Sequence, residues 1–136
     1  MSIKYYTDRK ANLGCVLWEG TVTAEEWLAH MRTMTAEPDW PVMTRVLCDL
    51  RSVADVSSIG DAEITQAVAL YSLAPGNLAS KRAAVAASEA FRKASAFQTA
   101  IARFGLSVIV FNTLDTACIY LGVDAAFANE VLAGLH

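Results

Sequence analysis

Histidine is nearly absent from this chain: His30 and His136 are the only two in 136 residues. Cysteine is scarce too, and Cys15, Cys48 and Cys118 stand at no spacing that makes a zinc site with either histidine. No glycine-rich loop follows a strand to cradle phosphate, and no Gly-x-Ser-x-Gly elbow is present. Neither a metal nor a cofactor is expected, and the shortage of proton-exchanging or nucleophilic groups argues against an enzyme. Only 18% of the residues are charged and the net charge is −3, so nothing in the total draws the chain to nucleic acid. Uninterrupted apolar runs of about 18 residues are missing as well, which removes a membrane span. The segment Met1-Ser2-Ile3-Lys4-Tyr5-Tyr6-Thr7-Asp8 has no signal-peptide core, so secretion is not expected. An odd number of widely spaced cysteines among apolar neighbours reads as reduced, buried thiols of a cytoplasmic protein.

What is present is apolar: 54% of the residues are hydrophobic, enough to fill one core in a single domain over residues 1–136. That surplus suggests an interface, most economically a two-fold homodimer. Positive charge gathers in one stretch, with Lys81, Arg82, Arg92, Lys93 and Arg103 against Glu89 alone. On a helix, Arg92, Lys93 and Arg103 offer a basic surface for a partner; a solvated face is the plainer alternative.

Local signals alternate between strand and helix. Ile3 to Thr7 and Leu13 to Val22 form a hairpin around Asn12 and Gly14. Thr23 caps a helix that opens with Glu25 and Glu26 and turns Trp27, Leu28, Met31 and Met34 to one side; Pro38-Asp39-Trp40-Pro41 stops it. Arg45 to Leu50 is a short central strand. Gly60-Asp61 opens a second helix with Ile64, Ala67, Val68 and Tyr71 on one face, ended by Pro75-Gly76-Asn77. A small-residue strand at Ala83 to Ala87 leads to Ser88, read as the cap of a third helix along which Phe91, Ala94, Phe97, Ile101 and Phe104 recur. Gly105 ends that helix, Leu106 to Phe111 is the last strand, and helices at Thr116 to Leu121 and Ala125 to Leu135 finish the chain, Asp124 capping the second. The order predicts an α/β sandwich with a mixed, mostly parallel central sheet, an N-terminal β-hairpin and four to five helices on one or both faces.

Few side chains are placed for chemistry. Asp49 and Arg51, read at the carboxyl end of a central strand, occupy the edge where open α/β sheets hold ligands, and form a local ion pair on the plainer reading. Ser57 and Ser58 precede the second helix, where a phosphate would gain from helix N–H groups; two serines also satisfy a turn. His30 reads as a surface or partly packed helix residue, and His136 as a frayed terminal one. Three tryptophans in the first third, Trp18, Trp27 and Trp40, join Phe91, Phe97, Phe104, Phe111 and Tyr120 in the expected core. A tilt of the first or third helix from the sheet would open an apolar pocket among them.

Three segments resemble the bacterial SpoIIAA-like proteins, relatives of STAS domains: Leu47-Cys48-Asp49-Leu50-Arg51-Ser52-Val53; Ala83 to Ser88 with Phe91; and Val110-Phe111, Asp115, Ala117 and Tyr120-Leu121-Gly122. The Glu26-Trp27 helix with Pro38-Asp39-Trp40-Pro41 is similar to the family's first helix. Asn112-Thr113 stand where the family often has Arg-Asp, and Tyr120 where it has tryptophan. The Asp-Ser-Ser-Gly phosphorylation motif of anti-sigma-factor antagonists is altered here, since Val56-Ser57-Ser58-Ile59 lacks the aspartate and Gly60 falls one position late. The resemblance implies a STAS-like sandwich and a non-enzymatic cytoplasmic module that binds a protein partner. The aromatic-rich helices suggest the alternative, a carrier of a small apolar or lipid-like molecule.

Overall fold

The computed structural model describes residues 2–36, 44–73 and 80–136. The two proline-containing helix stops, Pro38-Asp39-Trp40-Pro41 and Pro75-Gly76-Asn77, and with them Trp40, lie outside the described residues. Ten elements follow one another: β1 Ile3–Asp8, β2 Leu13–Thr21, α1 Ala24–Ala36, β3 Arg45–Asp55, α2 Asp61–Leu73, β4 Lys81–Val85, α3 Ser88–Ala102, β5 Ile109–Phe111, α4 Leu114–Leu121 and α5 Ala125–Leu135. The sheet runs β1-β2-β3-β4-β5, with β1 antiparallel to β2 and every other pair parallel. This is the mixed, mostly parallel α/β sheet with an N-terminal hairpin that the pattern predicts, carrying five helices.

Sequential strand order decides where the helices go. Crossovers of one hand that each step to the next strand return over the same face. Accordingly α1, α2 and α3 cover one face, where Val16, Trp18, Val46, Leu50 and Ala84 meet Leu28, Met31, Ile64, Tyr71 and Phe97. The alternate residues Leu13, Cys15, Leu17, Leu47, Ala83 and Val85 point the other way, against Leu114, Ala117, Cys118 and Leu121 of α4 and Ala128 and Leu132 of α5. Both faces of the central strands are therefore buried, as parallel sheets require.

Caps and turns hold the layers in place. The Thr23 hydroxyl accepts from Glu26 N at 3.1 Å, Thr113 from Thr116 N at 3.3 Å, and Asp124 from Ala126 N at 3.0 Å. Gly122, at φ +71°, ends α4 in the left-handed region. Arg45 ties this end to the hairpin: its guanidinium donates to the carbonyls of Gly122 at 2.9 Å, Asn12 at 3.3 Å and Ala11. Phe111 and Tyr120 pack with ring centroids 5.6 Å apart, and the Lys81 ammonium lies 4.9 Å from the Tyr120 ring.

Several boundaries differ from expectation. β3 runs five residues beyond Leu50, because its polar tail Arg51–Asp55 pairs with Glu19, Gly20 and Thr21 of the long strand β2. Tertiary pairing here overrides weak local propensity. β5 is only three residues long, and β4 starts two residues earlier than its apolar run. Ser88 is the first residue of α3 rather than its cap, and takes φ +54°. Phe104 is exposed beyond the end of that helix. His136 is held rather than frayed, its Nδ1 2.8 Å from Glu19 Oε2, while the Lys4 ammonium meets Oε1 of the same carboxylate at 3.0 Å. No single helix among the described residues is long and apolar enough to cross a membrane.

Candidate ligand cavity

Beneath α1, α2 and α3 lies a cavity of about 150 Å³. Its floor is sheet, from Trp18 on β2, Cys48 and Leu50 on β3, and Arg82 and Ala84 on β4; its roof comes from the three helices. The opening follows from side-chain size. Cys48 is the register partner of Ala84, and Ala90 and Ala94 of α3 face the same space, so small residues line it where a packed sheet would carry branched ones.

Aromatic rings brace the walls. Trp18 and Trp27 meet edge to face at 6.0 Å, Trp27 and Phe97 at 5.5 Å, and Phe97 and Tyr71 at 5.6 Å. Such contacts fix ring positions and add to area burial. Polar groups are few. The Arg82 guanidinium, 8% exposed, lies 4.8 Å from the Tyr71 ring, and its Nε donates to Ser80 Oγ at 3.0 Å. At the α2–α3 end, Lys93 Nζ donates to the Ile59 carbonyl and stands 3.7 Å from Glu89 Oε1.

Burial silences the titratable lining. It pushes His30 down to about 4, with Glu26 opposing the shift weakly, and the Tyr5 ring packs at 5.9 Å. It pushes the Cys48 thiol up to about 11, and raises the Tyr71 phenol. At neutral pH all three are uncharged, leaving Arg82 and Lys93 as the charged side chains among the described residues of the lining.

The residues singled out in sequence do not converge. Asp49 and Arg51 lie in the middle of β3, not at its carboxyl end, and face α4 rather than the cavity. They form a two-point ion pair, Nε to Oδ1 and Nη2 to Oδ2 both at 2.9 Å, and Arg51 N also donates to Oδ1 at 3.0 Å. Asp49 is 2% exposed, and its carboxylate is turned to this pair on the α4 side of the sheet.

Ser57 and Ser58 are exposed in the β3–α2 turn, where Asp55 Oδ1 accepts from Ser57 N at 2.8 Å. Ser58 Oγ accepts from Ala24 N at 2.9 Å, satisfying the first turn of α1. The basic residues of α3 divide. Arg92 is exposed and 3.7 Å from Glu89, Arg103 is exposed at the helix end, and Lys93 alone turns inward. Sequence reasoning gave Arg82, Tyr71 and Cys48 no site role. The available signal was period two along β4, which puts Arg82 on the same face as Ala84. No group of three or more His, Cys, Asp or Glu among the described residues is arranged to hold a metal.

Fold and cavity together define a three-layer α/β/α protein with an apolar chamber on its three-helix side. Comparison with protein-family models, curated proteins and solved structures found no match for this chain.

Proposed function

We propose that this protein binds a small apolar molecule in the cavity between the sheet and α1, α2 and α3. The observation that carries the reading is the cavity itself, about 150 Å³ walled by aromatic, Met and Ala side chains, with His30 and Cys48 held neutral by burial. Concave, mostly apolar sites with a few placed polar groups are the usual form of small-molecule sites. The role is binding rather than catalysis, supported by the burial that keeps His30, Cys48 and Tyr71 neutral. A cytoplasmic location, a two-fold homodimer and membership of the SpoIIAA-like family belong to the same reading; the Asp49-Leu50-Arg51 strand and the Phe111–Tyr120 joint support the family.

Trp18 and Trp27 report on the cavity directly. Titration with propylbenzene, followed by tryptophan fluorescence and by native mass spectrometry, should give a saturable one-to-one complex. A ligand-free mass and unchanged emission across propylbenzene, naphthalene and short-chain lipids would overturn the proposal. The rival, a module that docks a protein partner, draws on the exposed Arg92 and Arg103. Reversing both charges while keeping Lys93 tests it without opening the cavity.

A further inference from the structure

Three side chains, Ile59, Ile64 and Lys93, line both the cavity and a shallow surface depression between the start of α2 and α3. They form the wall between chamber and solvent at that end, and Lys93 is the polar member. Its side chain is 18% exposed, so most of it is packed in that wall. An ammonium has three donors. The Ile59 carbonyl takes one, and the nearest carboxylate oxygen, on Glu89, stands at 3.7 Å, too far for a hydrogen bond. Within the chamber, every charged group among the described lining residues is a cation and none is a carboxylate.

We infer that the ligand is a small apolar acid: one aromatic ring or an aliphatic body of that size in the chamber, and a single carboxylate held at the Lys93 ammonium. This rests on the proposal that the chamber binds a ligand, and adds its chemical class and orientation. Size sets the body, because an apolar cavity of about 150 Å³ accommodates a benzene ring. Charge sets the head. A carboxylate at Lys93 forms a charge-assisted hydrogen bond in a partly desolvated site, where it is stronger than a neutral one. A ligand amine in the same place would face Lys93 with Arg82 lining the same chamber.

The test uses four probes of one shape with the full chain: phenylpropionate, phenylpropionamide, phenylpropylamine and propylbenzene, each titrated by calorimetry. The acid should bind at least about tenfold more tightly than the amide, and the amine most weakly of all. Lys93→Met should remove the preference for the acid over the amide, while Lys93→Arg should retain it. Amide or amine binding as tightly as the acid would overturn the assignment and leave the binding cavity standing. Loss of acid preference in Arg82→Met but not in Lys93→Met would overturn the orientation. Failure of all four probes, propylbenzene included, would overturn the cavity proposal and this inference with it.

Discussion

Filling the cavity from its floor is the most direct perturbation. Ala84 lies in the middle of β4, 6% exposed, between Cys48 of β3 and Val110 of β5 in register. Ala84→Ile adds three carbons on the cavity side, in a strand where a β-branched residue is at ease. At about 0.8 kcal/mol per buried methylene the transfer gain has a ceiling of about 2.4 kcal/mol. The space is there to receive it, since the cavity beside Ala84 measures about 150 Å³. Crowding against rings already braced by Trp27 and Tyr71 costs about 1 kcal/mol or slightly more.

The variant should therefore be more stable by about 1 kcal/mol, a rise in Tm of about 4 °C for a chain of this size. The same substitution removes the room a ligand needs. Propylbenzene at about 100 times its Kd should stabilise the parent protein by about 2.7 kcal/mol, a rise of about 10 °C, and leave Ala84→Ile unmoved. Melting curves with and without the probe measure both effects. A probe-induced rise of undiminished size in the variant would refute the reasoning, because side chain and ligand cannot share one volume.

Acid should destabilise the protein through His30. Its folded-state value is about 4 against 6.5 for the unfolded chain, so the unfolded state holds more protons in that window; stability is full above 6.5 and falls as pH drops toward 4. The loss between pH 7 and pH 5 should be at most about 2 kcal/mol, reduced by the ring's partial exposure, and a urea midpoint in His30→Gln that falls as steeply would contradict it. Asp49→Asn breaks the two-point pair with Arg51 and should cost about 2 kcal/mol, below the value for a fully buried pair because Arg51 reaches water. Ligand affinity should be unchanged in that variant, since the pair lies on the α4 face; a tenfold loss by calorimetry would count against the placement of the site. Ser58→Ala removes the acceptor for Ala24 N and should lower stability by about 1 kcal/mol, read from the denaturation midpoint.

Local physics made much of the architecture legible in the chain alone. The short apolar runs of β2, β3 and β4, the caps at Thr23 and Asp124, and the breaks at Asn12 and Gly105 each act within a few residues. They suffice for element order and for a mostly parallel sheet. Pairing length was less legible. Arg51 to Asp55 have no strand character of their own and are extended because β2 lies beside them, and Ser58 caps a helix 34 positions earlier in the chain.

The site belongs to tertiary structure for the same reason. Cys48 and Asp49 are neighbours in sequence and lie on opposite faces of the sheet, one in the cavity and one in an ion pair against α4. Arg92 and Lys93 are likewise adjacent, yet the turn of about 100° between successive helix residues sends Arg92 to water, 76% exposed, and Lys93 to the chamber. Composition determined that the chain would be apolar and sparing of charge. Only the register of β3 on β4 and the seating of α3 above them decided that Cys48, Ala84, Ala90 and Ala94 would face one another, because an empty space exists only between elements and is encoded in none of them singly.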